Sequence, residues 1–339
     1  MILAVFAGVI FSGYFLNELF FKRPAQGAEA VAFSVTKGES VKKIAGELQR
    51  TGIIPNAFVF SSYVRLIQAE DIFQAGDYKL LSGSSISALV EVLTSINIKE
   101  NRFTLIEGWS LKDIVDYLVT KKTINRASDF YFLTGRPAVD YRKTKIDFVK
   151  NWTYDFLADR PAYATLEGYV YPDTYRVLDE AGAEGLIKKS LDNFGKKLTP
   201  ELRAEIARQG KTIHQVVTMA SVVENEVRNY EDRRIVADLF WRRLKIGMPL
   251  QADSTINYVT QSGRDRSTYD DLKIDSPWNT YKYGGLPLGP ICNPSIEAIR
   301  AVIYPTPNSY LYFLTDKDGA VHYAKTTAEH ANNRVKYLK

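Results

Sequence analysis

The apolar and polar positions divide the chain into four stretches. Met1 to Leu16 is apolar and uncharged, and Glu18 is the first charge before Lys22 and Arg23. A membrane-spanning helix needs about 20 apolar residues, so 1–21 is just long enough for a transmembrane anchor. No small-residue cleavage site stands out, which favours a retained anchor over a removed leader. Lys22 and Arg23 follow the run instead of preceding it, which by the positive-inside rule alone would keep the bulk of the chain cytoplasmic. Residues 22–30, with PAQGAE inside them, read as a linker.

A repeat follows. Phe33 to Leu48 reads FSVTKGESVKKIAGEL, and Phe103 to Leu118 reads FTLIEGWSLKDIVDYL. Tyr78 to Leu93, YKLLSGSSISALVEVL, is a weaker copy. In each, an alternating stretch predicts a short strand, and Gly38, Gly83 or Gly108 supplies the turn. Ser40, Ser85 or Ser110 then stands at a helix N-cap, followed by apolar residues at helical spacing. Region 31–120 is therefore expected to be a small α+β repeat region. Its first copy resembles the LysM type of glycan-binding module, a βααβ fold, although a purely structural repeat fits the same residues. Beyond 120, helices are expected over 183–198, 200–209, 213–227 and 230–246, with Asn229 as a cap and Gly247 as a stop. The fold class is α+β: an anchor, LysM-like units, and a mixed α/β domain over 121–339.

Composition narrows the chemistry. A 45% hydrophobic and 24% charged chain is ordinary for a globular protein. The net charge of +5 comes without a long basic run, so nucleic acid is a poor partner. One cysteine, Cys292, excludes an internal disulfide and a cysteine metal cluster. His214, His322 and His330 match no metal spacing, and no phosphate loop or dinucleotide fingerprint occurs, so no metal or cofactor is expected.

Candidate chemistry gathers after residue 160. Ile213 to Val227 (IHQVVTMASVVENEV) is apolar until Glu224 and Glu226. These two lie about 200° apart around a helix. Glu224 continues the stripe of Val217, Ala220 and Ser221, and Glu226 that of Met219, Val222 and Val223. A carboxyl group on an apolar stripe is raised in pKa by desolvation, as a general acid requires. Spacing alone favours the plainer reading, that both mark the solvated end of a core helix. Around them lie LEGYVYPDTY (166–175), PLQADSTINY (249–258) and WNTYKYGGLPLGPICNP (278–294). Their aromatic rings alternate with short polar groups, a combination suited to sugars.

These segments, with MASVVENEV, RRLKIGMPLQADSTINY and YLYFLTDKDGAVHYAKTTAEH in the same order, resemble the YceG-like family, the endolytic murein transglycosylases. The resemblance covers the chain beyond the anchor. It implies a membrane-anchored lytic transglycosylase of peptidoglycan. Such an enzyme cleaves the β-1,4 bond between N-acetylmuramic acid and N-acetylglucosamine, leaves a 1,6-anhydro end, and terminates nascent strands. It implies a bacterial cytoplasmic membrane location with the catalytic part outside the cytoplasm, and penicillin-binding synthases as partners. The family's acid closes the apolar helix in a segment like SIVEKE, which assigns the role to Glu224. On that reading Glu224→Gln abolishes cleavage without unfolding. Glu167, Tyr171, Asp173, Thr174, Gln251, Asp253, Ser254, Asn279 and Tyr281 are the expected substrate-binding residues. A non-catalytic peptidoglycan-binding scaffold is the alternative, and a hydrolase using Glu224 with Asp173 or Asp253 is a third reading.

Overall fold

The computed structural model describes residues 13, 15–24, 30–95, 100–148, 152–261 and 267–338. Most of the expected anchor, 1–12 and 14, lies outside them, as does 25–29 of the linker. No helix among the described residues is long and apolar enough to cross a membrane. Asn17–Phe21 forms one π-helical turn that buries Leu19 and Glu18, and Lys22 pairs with Glu18 at 2.9 Å.

The chain divides into two compact units, Met1–Lys99 and Glu100–Lys339. The first runs β1 (Ala30–Val35), α1 (Val41–Arg50), α2 (Ala57–Leu66), β2 (Gly76–Leu81) and α3 (Ile86–Thr94). β1 and β2 are antiparallel, with Phe33 opposite Tyr78. Alternation turns Phe33, Val35, Tyr78 and Leu80 inward onto Ile44, Leu48, Phe60, Leu89 and Leu93.

All three repeat copies are strand, turn and capped helix. Gly38, Gly83 and Gly108 have φ of 78°, 84° and 80°, a region that favours glycine. The Ser40, Ser85 and Ser110 hydroxyls accept the N–H groups of Lys43, Ala88 and Asp113. At Ser110 the Asp113 carboxylate returns the bond at 2.8 Å, completing a capping box. The copy at 103–118 belongs to the second unit, so the division falls at 99 and not at 120. The reason is pairing: β3 (Glu100–Thr104) bonds antiparallel to β4 (Thr174–Leu178), with Phe103 opposite Tyr175.

The second unit continues from β3 through α4 (Leu111–Thr120) and α5 (Ala127–Thr134) to β4. Then come α6 (Gly182–Lys197), α7 (Pro200–Arg208), α8 (Ile213–Glu226), α9 (Tyr230–Lys245), α10 (Asp253–Thr260) and α11 (Ile296–Ile303). A hairpin of β5 (Tyr312–Thr315) and β6 (Val321–Ala324) precedes α12 (Thr327–Tyr337). The helix ends expected between 183 and 246 hold to within one residue. Asn229 caps α9 by accepting from Glu231 N–H at 2.8 Å, and Gly247 ends it with φ of 72°. The apolar run made α8 the central helix. It is buried from Val216 to Val223 and packs against α9, α10 and α11. Its far end carries the two carboxylates, Glu224 and Glu226.

Candidate active site

A cleft of about 1120 Å³ opens at the C-terminal end of α8. Glu226, Asp253, Ser254, Tyr258 and Tyr281 line it, with Gln251 and Arg243 beside them. Glu226 is half-buried there. Its Oε1 accepts the Ser254 hydroxyl at 2.7 Å and the Ser254 N–H, in the first turn of α10, at 3.2 Å. Oε2 has no hydrogen-bond partner among the described residues. Burial pushes the Glu226 carboxyl above its ordinary pKa, against the pull of Ser254, and the Asp253 charge adds to the rise.

The wall around Glu226 is built from two loops. Arg243 is buried and donates to the Leu250 and Leu311 carbonyls, both at 2.7 Å, which fixes the path of 249–253. The Gln251 N–H donates to the Thr280 carbonyl at 3.1 Å, and the Ala252 N–H to the Thr280 hydroxyl at 3.0 Å. Gln251 holds φ of 51°, outside the usual range for a non-glycine residue. Tyr281 donates its hydroxyl to Asp253 at 2.8 Å, and burial with that carboxylate raises its pKa far above the ordinary phenol range.

Glu224 faces another way. Its Oε1 takes the Arg233 guanidinium at 2.5 Å, and its Oε2 takes the Ser295 hydroxyl at 2.6 Å and N–H at 2.9 Å. The Glu224 and Arg233 side chains are 5% and 8% exposed, and Glu224 is not among the residues lining the cleft. Ser295 caps α11, so this carboxylate ties α8 to α9 and α11.

Glu167 is also buried and off the cleft. It accepts the Leu111 N–H at the start of α4 at 2.9 Å and the Tyr258 hydroxyl at 3.2 Å. Asn293 clamps the same region, accepting the Gly168 and Val170 N–H groups at 3.0 Å and donating to the Trp109 carbonyl at 2.9 Å. Gly168 cannot be replaced here: its φ is 90°, and an added Cβ would stand 2.7 Å from Pro290 and Val217. Burial raises the Glu167 carboxyl from 4.5 to about 8. The folded state therefore holds its proton more tightly than the unfolded chain. Its contribution is full below the ordinary value and is lost as pH rises through about 8. Thermal melts from about pH 5 to 8.5 should show a falling Tm that Glu167→Gln flattens. Glu226 adds a slope of the same sign, so the comparison is between chains differing only at residue 167. An unchanged slope in Glu167→Gln removes the assignment.

Of the expected binding residues, the structure gathers Gln251, Asp253, Ser254 and Tyr281 around Glu226. Asn279 is buried. Its amide donates to the Leu272 and Ile274 carbonyls and accepts from the Tyr281 and Lys282 N–H groups, so it builds the turn that presents Tyr281. Tyr171 is buried, and its carbonyl accepts the Tyr175 hydroxyl at 2.7 Å. Asp173 bonds the Asn193 amide at 2.9 Å, and Thr174 meets Thr104 across the β3–β4 ribbon at 3.0 Å. None of these four lines the cleft. Arg243 and Arg233 were missed as site residues. The signal was present for Arg243, since it continues the apolar stripe of Val236, Leu239 and Phe240 on α9.

The model of the YceG-like family matches residues 33–336. An endolytic murein transglycosylase of Bacillus subtilis (strain 168) is 32% identical over 335 residues, covering 97% of this chain and 91% of the relative. An endolytic murein transglycosylase of Streptococcus pneumoniae serotype 2 (strain D39 / NCTC 7466) is 28% identical, and the match covers 98% of this chain but 63% of that longer protein. The crystal structure of a YceG-like protein from Listeria monocytogenes superposes with a TM-score of 0.57 at 30% identity, covering 90% of this chain and 98% of that one. With a family match over most of its length and a relative at 32% identity, the chain belongs to the YceG-like family.

Proposed function

We propose that this protein is a lytic transglycosylase of peptidoglycan with Glu226, not Glu224, as its acid and base. One observation carries the choice. Glu226 ends the buried helix inside the cleft, with one oxygen open and its pKa raised, whereas both oxygens of Glu224 are closed by Arg233 and Ser295. The motif SIVEKE has a glutamate at both places, so resemblance by itself does not choose between them.

Protonated Glu226 gives its proton to the glycosidic oxygen as the bond from the muramic C1 breaks. The muramic O6 then bonds to C1, and its proton returns to the Glu226 carboxylate. No water enters, and the product carries a 1,6-anhydro ring. Ser254 orients the carboxyl group, and Asp253, Tyr281 and Gln251 contact the strand. Asp253 in the same cleft keeps a two-carboxylate hydrolase as the second reading. Digestion of purified glycan strands, with products weighed, separates the readings. Anhydro ends, one water lighter than reducing ends, support the lyase; reducing ends support the hydrolase; intact strands support the scaffold.

The apolar run 1–21 supports a single-pass anchor in the cytoplasmic membrane. A wall substrate requires the second unit to lie outside the cytoplasm, despite Lys22 and Arg23. Protease treatment of intact spheroplasts tests that side, and protection of the chain would reject it. The strand–helix–helix–strand order of β1, α1, α2 and β2 supports a LysM-like glycan-binding role for the first unit. Termination of nascent strands beside penicillin-binding synthases is the cellular role consistent with these parts. Strand lengths in cells lacking the protein test it, and unchanged lengths would reject it.

A further inference from the structure

Part of the cleft lining is cationic, with Arg243 and Arg334 in it. Arg334, on the last turns of α12, lines the cleft and is exposed. Its side chain makes no ion pair or hydrogen bond among the described residues. One turn earlier, His330 also lines the cleft, and its Nδ1 is buried without a partner. The His330 ring stacks on Tyr312 with centroids 5.4 Å apart, and the Arg243 guanidinium lies 5.2 Å from the Tyr312 ring centre. Burial, with Arg334 and Arg243 nearby, holds the His330 ring below its ordinary pKa. Arg243, Tyr312, His330 and Arg334 thus form one connected part of the cleft lining. The cleft lining also holds the carboxylates of Glu226, Asp253 and Asp113, and the Glu226 charge acts on Arg243.

A neutral sugar needs hydroxyl and amide partners. An unpaired, planar guanidinium in a sugar cleft is matched by a carboxylate, which it can bind through two parallel hydrogen bonds. We propose that Arg334 and His330 form a subsite for a carboxylate carried by the glycan strand. That group is either the free lactyl carboxyl of a muramic residue or a carboxylate of the peptide attached there. The proposal rests on the peptidoglycan reading above.

Binding tests this without relying on cleavage. Dissociation constants are measured for full-length Glu226→Gln, with and without Arg334→Gln. Three strands are used: peptide-bearing, peptide-stripped, and stripped with the lactyl carboxyls capped as methylamides. Arg334→Gln should weaken binding about 10-fold or more where its carboxylate is present, and leave the capped strand unchanged. Loss on the stripped strand identifies the lactyl carboxyl, and loss on the peptide-bearing strand alone identifies the peptide. Equal loss on all three, or no loss on any, overturns the subsite while leaving the peptidoglycan reading standing. Failure of the Glu226→Gln chain to bind any strand overturns the peptidoglycan reading itself.

Discussion

Glu226→Gln should stop the formation of anhydro ends while the protein stays folded. Removing a general acid and base costs about 10²–10⁴ in rate. The amide keeps an oxygen to accept the Ser254 hydroxyl and N–H, which both bond Oε1, so local geometry survives. It carries no proton acidic enough to give. Since burial already opposes the charged form, replacing it with a neutral amide should leave the Tm at neutral pH unchanged or raised. Product mass and thermal melting together decide the matter. Activity above about a tenth of the unaltered protein's would remove Glu226 from the mechanism.

Glu224→Ala should give the opposite pair of results. Arg233 would be left buried with only the exposed Glu297 carboxylate, 3.6 Å away, as counter-ion, and Ser295 would lose its acceptor. Breaking one side of a buried ion pair costs about 3–5 kcal/mol. For a unit of this size that lowers Tm by about 6–20 °C. Measured well below that melting point, the folded protein should still form anhydro ends. A stable but inactive Glu224→Ala, beside an active Glu226→Gln, would return the catalytic role to Glu224.

These variants bear on how far the sequence could be read. The strand–turn–helix repeat was legible because its determinants are local: a glycine with positive φ, a serine cap two residues on, and an apolar stripe. The helices between 182 and 246 were legible for the same reason. The choice between Glu224 and Glu226 was not. Both sit on apolar stripes of one helix, and their partners stand 71 and 28 residues downstream, at Ser295 and Ser254. Only the packing of α10 and α11 against α8 decides which carboxylate is closed. The cluster LEGYVYPDTY misled in a related way. Its polar groups are consumed by the β3–β4 ribbon, by the start of α4 and by α6, while the like-looking cluster at 249–258 faces the cleft. Asn279 shows the limit most clearly, since a buried amide that shapes a turn has the same letter as one that binds a sugar.

Glu167, Glu224 and Glu226 each receive a backbone N–H from the start of a different helix. The aligned peptide dipoles leave roughly half a positive charge at such an end. That field favours the carboxylate, against the burial that favours the acid. Glu224 is bonded in addition to the guanidinium of Arg233. At Glu226 no ion pair joins in among the described residues, so the macrodipole of α10 and the loss of water oppose each other over a single proton. A group that must release a proton and recover it within one turnover is served by that balance. In the proposed reaction, burial favours the proton until the leaving oxygen arrives, and the helix end favours the anion until the 6-hydroxyl returns one.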